Sequence, residues 1–194
     1  RHFPPERIIC LTEETVETLY LLGQQDRIVG VTGYAVRPPI VRKEKERVAA
    51  FTSAKIDKIL SLKPDLVLAF SDLQAEIAAE LIKNGIAVMT YNQRDIGGIL
   101  AMIRHVGATV GVAKMAEELA SSYERRLLNL RNKKKAAARP LVYFEEWNSP
   151  MITGIKWVSE LIEIAGGVDV FSELSSNEAA ADRIVTSQQV IKAA

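Results

Sequence analysis

The chain has 194 residues, 48% hydrophobic and 25% charged, the balance of a globular protein with room for one large domain or two small ones. A net charge of +1 removes any bulk electrostatic case for nucleic acid, and no run is long and apolar enough to span a membrane. The single cysteine, Cys10, excludes an intrachain disulfide, and inside the apolar run Ile8-Ile9-Cys10-Leu11 it reads as a buried, inert thiol.

In chain order, short apolar runs alternate with longer amphipathic ones. A strand at 7–11 leads to a helix at 15–22, opened by Glu13-Glu14 at its positive end and stopped by Gly23. A strand at 28–31 is followed by a proline-rich turn at 36–39, a short β-like run at 48–50 and a helix at 56–62 that Pro64 halts. The run 66–70 is apolar without alternation, as in a buried parallel strand. A helix at 75–83 capped by Asn84-Gly85, a strand at 87–91 and a helix at 96–106 follow.

Met115, Leu119, Tyr123, Leu127 and Leu130 then mark one face of a long helix predicted over 112–135. Its basic end, Arg131-Asn132-Lys133-Lys134-Lys135, reads as a solvated helix terminus. Beyond it come a strand at 141–144, a loop through Asn148-Ser149-Pro150, a helix at 158–165 ended by Gly166-Gly167, and a last helical turn at 190–194. This alternation predicts an α/β fold with mainly parallel sheets. On pattern alone the long helix fits either a spacer between two lobes or an ordinary crossover helix.

Catalytic chemistry finds little support. His2 and His105 are the only histidines; with one buried cysteine they cannot build a conventional zinc site, and no metal site is expected. No phosphate-binding glycine loop, dinucleotide fingerprint or nucleophile elbow is present. Glu13-Glu14 is explained by the helix start. Glu145, Glu146 and Trp147 follow a strand, where an α/β sheet faces its ligand, although an edge strand with exposed acids and a core tryptophan fits equally. Tyr34 and Arg37 follow a second strand and Phe51 a third, and Phe70 closes a fourth. Together they point to a wide cleft for a large planar or amphiphilic ligand.

At this point the sequence resembles the periplasmic substrate-binding proteins of ABC importers for cobalamin, ferric siderophores and haem, the helical-backbone type. The resemblance runs through Arg7-Ile8-Ile9-Cys10-Leu11-Thr12 to Leu22-Gly23, then Asp26-Arg27-Ile28-Val29-Gly30-Val31 and Pro38-Pro39. Its most specific stretch is Ile56-Asp57-Lys58-Ile59-Leu60 with Leu62-Lys63-Pro64-Asp65-Leu66-Val67, and Leu161-Ile162-Glu163-Ile164-Ala165-Gly166-Gly167 resembles the second-lobe helix.

The resemblance implies an N-terminal α/β lobe at 1–111, a connecting backbone helix at 112–138 and a C-terminal α/β lobe at 139–194, with the ligand in the cleft between lobes. The family's second lobe continues further, so the C-terminal lobe is expected to be incomplete. The resemblance also implies a non-enzymatic, extracytoplasmic protein, although no leader is visible in the sequence. It would have no covalent cofactor and would carry cobalamin or an iron chelate as ligand. Its partner would be an ABC permease, docked through one acid per lobe. Asp57 matches the first acid; Gln188 stands at the second, which removes a charge. Phe51 and Phe70 match aromatic pocket positions, Arg37 replaces a common aromatic, and Glu145-Glu146-Trp147 falls where the second lobe lines its ligand. The alternatives are a cytoplasmic corrinoid-binding or sensing protein, and an enzyme of the tetrapyrrole metal chelatase kind on a similar scaffold.

Overall fold

Strands covered on both faces must be apolar at successive positions, and β1 (Ile8–Cys10) and β4 (Leu66–Phe70) are; they lie side by side. The computed structural model describes residues 3–133 and 139–193. His2 and the basic pair Lys134-Lys135 lie outside the described residues.

The chain divides into two units. The first comprises Arg1–Asn92 with Ala101–Ala120, the second Gln93–Leu100 with Ser121–Ala194. In the first unit, β1 is followed by α1 (Glu13–Leu21), β2 (Ile28–Thr32), α2 (Val41–Glu44), β3 (Arg47–Ala49) and α3 (Ile56–Ser61). After β4 come α4 (Ala75–Lys83) and β5 (Ala87–Tyr91). The strands form one five-stranded sheet in the order β3-β2-β1-β4-β5, parallel throughout.

The order reverses between β1 and β4, and at such a switch point the strand C-termini open a crevice. Ile9, Leu11, Val48, Ile59, Val67, Ala69 and Leu81 form a core at 0% exposure. Cys10 is also fully buried, and desolvation pushes its thiol up to about 12.

Two further helices contribute residues to both units: α5 (Ile96–Thr109) and α6 (Ala113–Lys133). Within the first unit they nearly touch. A Cβ on Gly107 of α5 would lie 2.1 Å from the Cβ of Ala116 on α6. The predicted face of the long helix is buried in part: Ala116 and Ala120 are buried and Leu119, Tyr123 and Leu127 are half-buried, whereas Met115 and Leu130 are exposed. Small side chains let two helices approach, which is why an alanine stands at this contact.

In the second unit, β6 (Leu141–Val142) pairs in parallel with β9 (Val168–Asp169), and α7 (Lys156–Ile164) lies between them in sequence. The predicted strand at 141–144 ends early because the chain turns into a hairpin, β7 (Glu145–Asn148) and β8 (Met151–Thr153), joined by Ser149-Pro150.

The start of α5 is fastened to α7. Asp95 Oδ1 accepts from Gly98 N–H at 2.8 Å, Glu160 Oε2 accepts from Ile96 N–H at 2.8 Å, and Lys156 pairs with Asp95 at 2.9 Å. The last helix, α8 (Ser187–Ala193), begins three residues before the predicted 190. The reason is a reciprocal cap: Gln189 Oε1 accepts from Thr186 N–H at 2.8 Å while Thr186 Oγ1 accepts from Gln189 N–H at 3.3 Å.

Candidate functional site

In the first unit, the residues singled out from sequence follow the C-terminal ends of the parallel strands. Tyr34 and Arg37 come after β2, Phe51 after β3, and Phe70 ends β4. Tyr34 is 57% exposed and Phe51 37%, while Phe70 is half-buried. Arg37 is exposed and its guanidinium meets Glu17 Oε2 at 3.0 Å, a solvated pair of small energetic weight. Glu13 and Glu14 open α1 at the same sheet edge. Burial, reinforced by the charge of Glu14, raises the Glu13 carboxyl above its ordinary value, although the side chain as a whole reaches solvent.

A residue that sequence reasoning missed ties the segments at Leu11, Phe51 and Phe70 together. Gln74, 1% exposed, donates from Nε2 to the Phe51 carbonyl at 2.9 Å and to the Leu11 carbonyl at 3.3 Å. Its Oε1 accepts from Phe70 N–H at 3.0 Å. One amide thus ties the ends of β1 and β4 to the loop after β3. Beside it, Ser71 holds φ at 52°, a left-handed conformation that a non-glycine residue adopts at a cost of about 1–3 kcal/mol. Ser71 N–H donates to the Tyr91 carbonyl at 2.7 Å, which fixes the chain where it leaves β4. A groove of about 480 Å³ runs along α4 and the β5 edge, lined by Ala75, Ala79, Ile82 and Thr90. Tyr34, Arg37, Phe51 and Phe70 are not part of its wall.

In the second unit, the hairpin carries the other three candidates. Trp147 is 61% exposed, so it is not a core residue, and its Nε1 donates to the Ser149 carbonyl at 3.1 Å. Glu145 accepts from the Tyr143 hydroxyl at 3.3 Å. Burial and then the Glu145 charge raise the Tyr143 phenol above its ordinary value. Glu146 turns to Arg183, a second residue missed from sequence, which is 3% exposed and lies 2.6 Å away. No periodicity marks either Gln74 or Arg183. The only signal was a polar residue at the edge of an apolar run.

Asp57 is exposed in the first turn of α3, and Gln188 is exposed in the first turn of α8. His105 is exposed on α5, with its ring edge-on to Tyr91 at 5.8 Å. Among the described residues, no group of three or more His, Cys, Asp or Glu side chains could hold a metal ion. No helix among them is long and apolar enough to cross a membrane.

A family model described as periplasmic binding protein matches residues 8–189. The chain belongs to the periplasmic binding protein family. It is similar to the vitamin B12-binding protein of Vibrio cholerae serotype O1, with 31% identity over 175 residues, 88% of this chain and 63% of that protein. It is also 32% identical over 139 residues to an uncharacterized ABC transporter substrate-binding lipoprotein of Bacillus subtilis, YvrC, covering 70% of this chain and 44% of that one. The chain therefore spans less than two thirds of the length of these relatives. Among solved structures, the periplasmic vitamin B12 binding protein BtuF of Vibrio cholerae superposes with a TM-score of 0.79 at 27% identity, over 98% of this chain and 74% of that one. The periplasmic heme-binding protein RhuT from Roseiflexus shares the fold, with a TM-score of 0.82 at 23% identity over 97% of this chain and 73% of that one. This is a family of binding proteins rather than enzymes, with an α/β fold in both the chain and its relatives.

Proposed function

We propose that the protein captures a cobalamin-type corrinoid outside the cytoplasm and delivers it to an ABC importer. The observation that supports this most is the 31% identity to a vitamin B12-binding protein across 88% of the chain. The geometry agrees with a broad ligand of mixed polarity. The first unit offers Tyr34 and Arg37, with Phe51 and Phe70 on segments tied by Gln74, and the hairpin offers Glu145 and the exposed indole of Trp147. Flat aromatic rings suit a macrocycle, while carboxylates accept hydrogen bonds from peripheral amides.

Asp57 is the proposed transporter contact of the first unit and Gln188 that of the second. An exposed carboxylate at a helix start can steer a transient encounter with a basic permease surface, whereas Gln188 contributes only hydrogen bonds. The test is titration calorimetry with cyanocobalamin, cobinamide, haem and a ferric siderophore. Saturable binding of the corrinoids in preference to the other two is expected. Preference for haem or the siderophore would replace the ligand in this reading, and binding of none would overturn it.

A further inference from the structure

Hairpin β7–β8 is irregular at the position that aims its tryptophan. Glu145 lies opposite Thr153, but Trp147 lies opposite Ile152, so two steps on β7 match one on β8. Glu146 is the extra residue of a β-bulge. Side chains alternate faces along a strand, so removing the bulge would shift every residue beyond it by one place and turn it to the other face. The direction in which Trp147 points therefore depends on what holds this bulge.

Arg183 holds it. Its Nη1 donates to Glu146 Oε2 at 2.6 Å and to the Thr153 carbonyl at 2.5 Å, and its Nη2 donates to Glu146 Oε1 at 3.3 Å. One guanidinium thus bridges the bulged residue and the backbone of the facing strand. Arg183 is itself anchored. It ends the 3-10 turn Ala180–Arg183, Ile184 bridges Ile152, and Val185 N–H donates to the Met151 carbonyl at 2.9 Å.

A stabilising role alone does not explain a guanidinium at 3% exposure. Arg183 Nε and Thr153 Oγ1 are buried without a hydrogen-bonding partner among the described residues. Taking a guanidinium out of water is costly even when its partner stays solvent-accessible, as Glu146 does, and the best-attested use of such a charge is to select one geometry.

We propose that Arg183 is a positioning residue: with Glu146 it staples the β-bulge of the hairpin and so holds Trp147 outward as a ligand contact. Glu146 then acts through Trp147 rather than on the ligand. The proposal rests on the binding reading above only in making Trp147 a contact.

The experiment uses the full chain carrying Trp157→Phe, which leaves Trp147 as the sole reporter of the two tryptophans. Arg183→Lys keeps the charge but loses the fork; Glu146→Gln keeps the shape but loses the charge. Emission and acrylamide quenching are recorded without ligand, then cyanocobalamin affinity by calorimetry. In the ligand-free protein both variants shift Trp147 emission and change its quenching. Each weakens cyanocobalamin by about tenfold, and adding Trp147→Ala weakens it no further. Unchanged emission and quenching in both variants would overturn the staple. So would a Glu146→Gln loss that adds fully to Trp147→Ala, which would make Glu146 a direct contact. If Arg183→Lys does not fold, Glu146→Gln alone decides. If no corrinoid binds the parent protein, the functional reading fails, while the ligand-free emission still decides the staple.

Discussion

Gln74 Nε2 donates to the Phe51 carbonyl at 2.9 Å from a side chain only 1% exposed. The same amide reaches Leu11 and Phe70, so three backbone groups depend on it. Gln74→Leu keeps the volume and removes every bond. It is expected to lower unfolding stability by on the order of 3 kcal/mol, read from urea denaturation, because buried polar groups are left unpaired. Gln74→Glu cannot donate to either carbonyl and should be nearly as harmful. A glutamate variant with parental stability would show that the bonds hold nothing in place.

Trp147→Ala removes an exposed indole with one local hydrogen bond. Stability should change by no more than about 0.5 kcal/mol, as for surface positions generally. Cyanocobalamin affinity should fall at least about tenfold, as for an aromatic anchor. Calorimetry and a thermal melt of the same sample separate the two effects.

Asp57→Ala should leave ligand affinity at the parental value and reduce transporter-dependent uptake. The check is an uptake assay beside the binding isotherm. An equal loss in both would place Asp57 at the ligand instead.

Gly107 has no room for a side chain, since its Cβ would sit 2.1 Å from that of Ala116. In an open helix Gly→Ala is stabilising, but here it must push α5 away from α6. Gly107→Ala is expected to cost about 1–3 kcal/mol by overpacking, measured by denaturation. Gly107→Ala combined with Ala116→Gly should recover part of the loss.

Asp95 is held below its ordinary carboxylate value by the hydrogen bond from Lys156 and that from Gly98 N–H, and Lys156 is raised above its own ordinary value by the same pair. A carboxyl lowered on folding contributes stability above its unfolded value and loses it as pH falls through the folded value. The lysine's share is present below its unfolded value and lost as pH rises through the raised one. Asp95→Asn should therefore flatten the acid limb of stability, the part lost as pH falls below the ordinary carboxylate value. Urea midpoints across that range measure it. The exposed position of the pair keeps the effect small.

Much of the first unit was legible in the sequence because its signals are local. Leu66–Phe70, Ala75–Lys83 and Ala87–Tyr91 match their predicted bounds, each an unbroken apolar or amphipathic run with a plain stop. The hairpin was not legible, because Glu145–Asn148 carries no apolar alternation and its turn is Ser149-Pro150 rather than a glycine pair. The capping pair Thr186 and Gln189 was present in the sequence and was overlooked. Gln74 and Arg183 were invisible for another reason. Each has a partner 23 or more residues away, Phe51 for Gln74 and Glu146 for Arg183, that only the fold brings near.

Cys10 is sealed in β1 at 0% exposure, with a thiol pushed up to about 12. At neutral pH it offers neither access nor thiolate to an alkylating reagent. Because the chain has no other cysteine, a single one introduced at position 57 or 147 would be the sole reactive thiol. Fluorophores or spin labels could then be attached at one chosen place on the native sequence, without first deleting a core residue of the central strand.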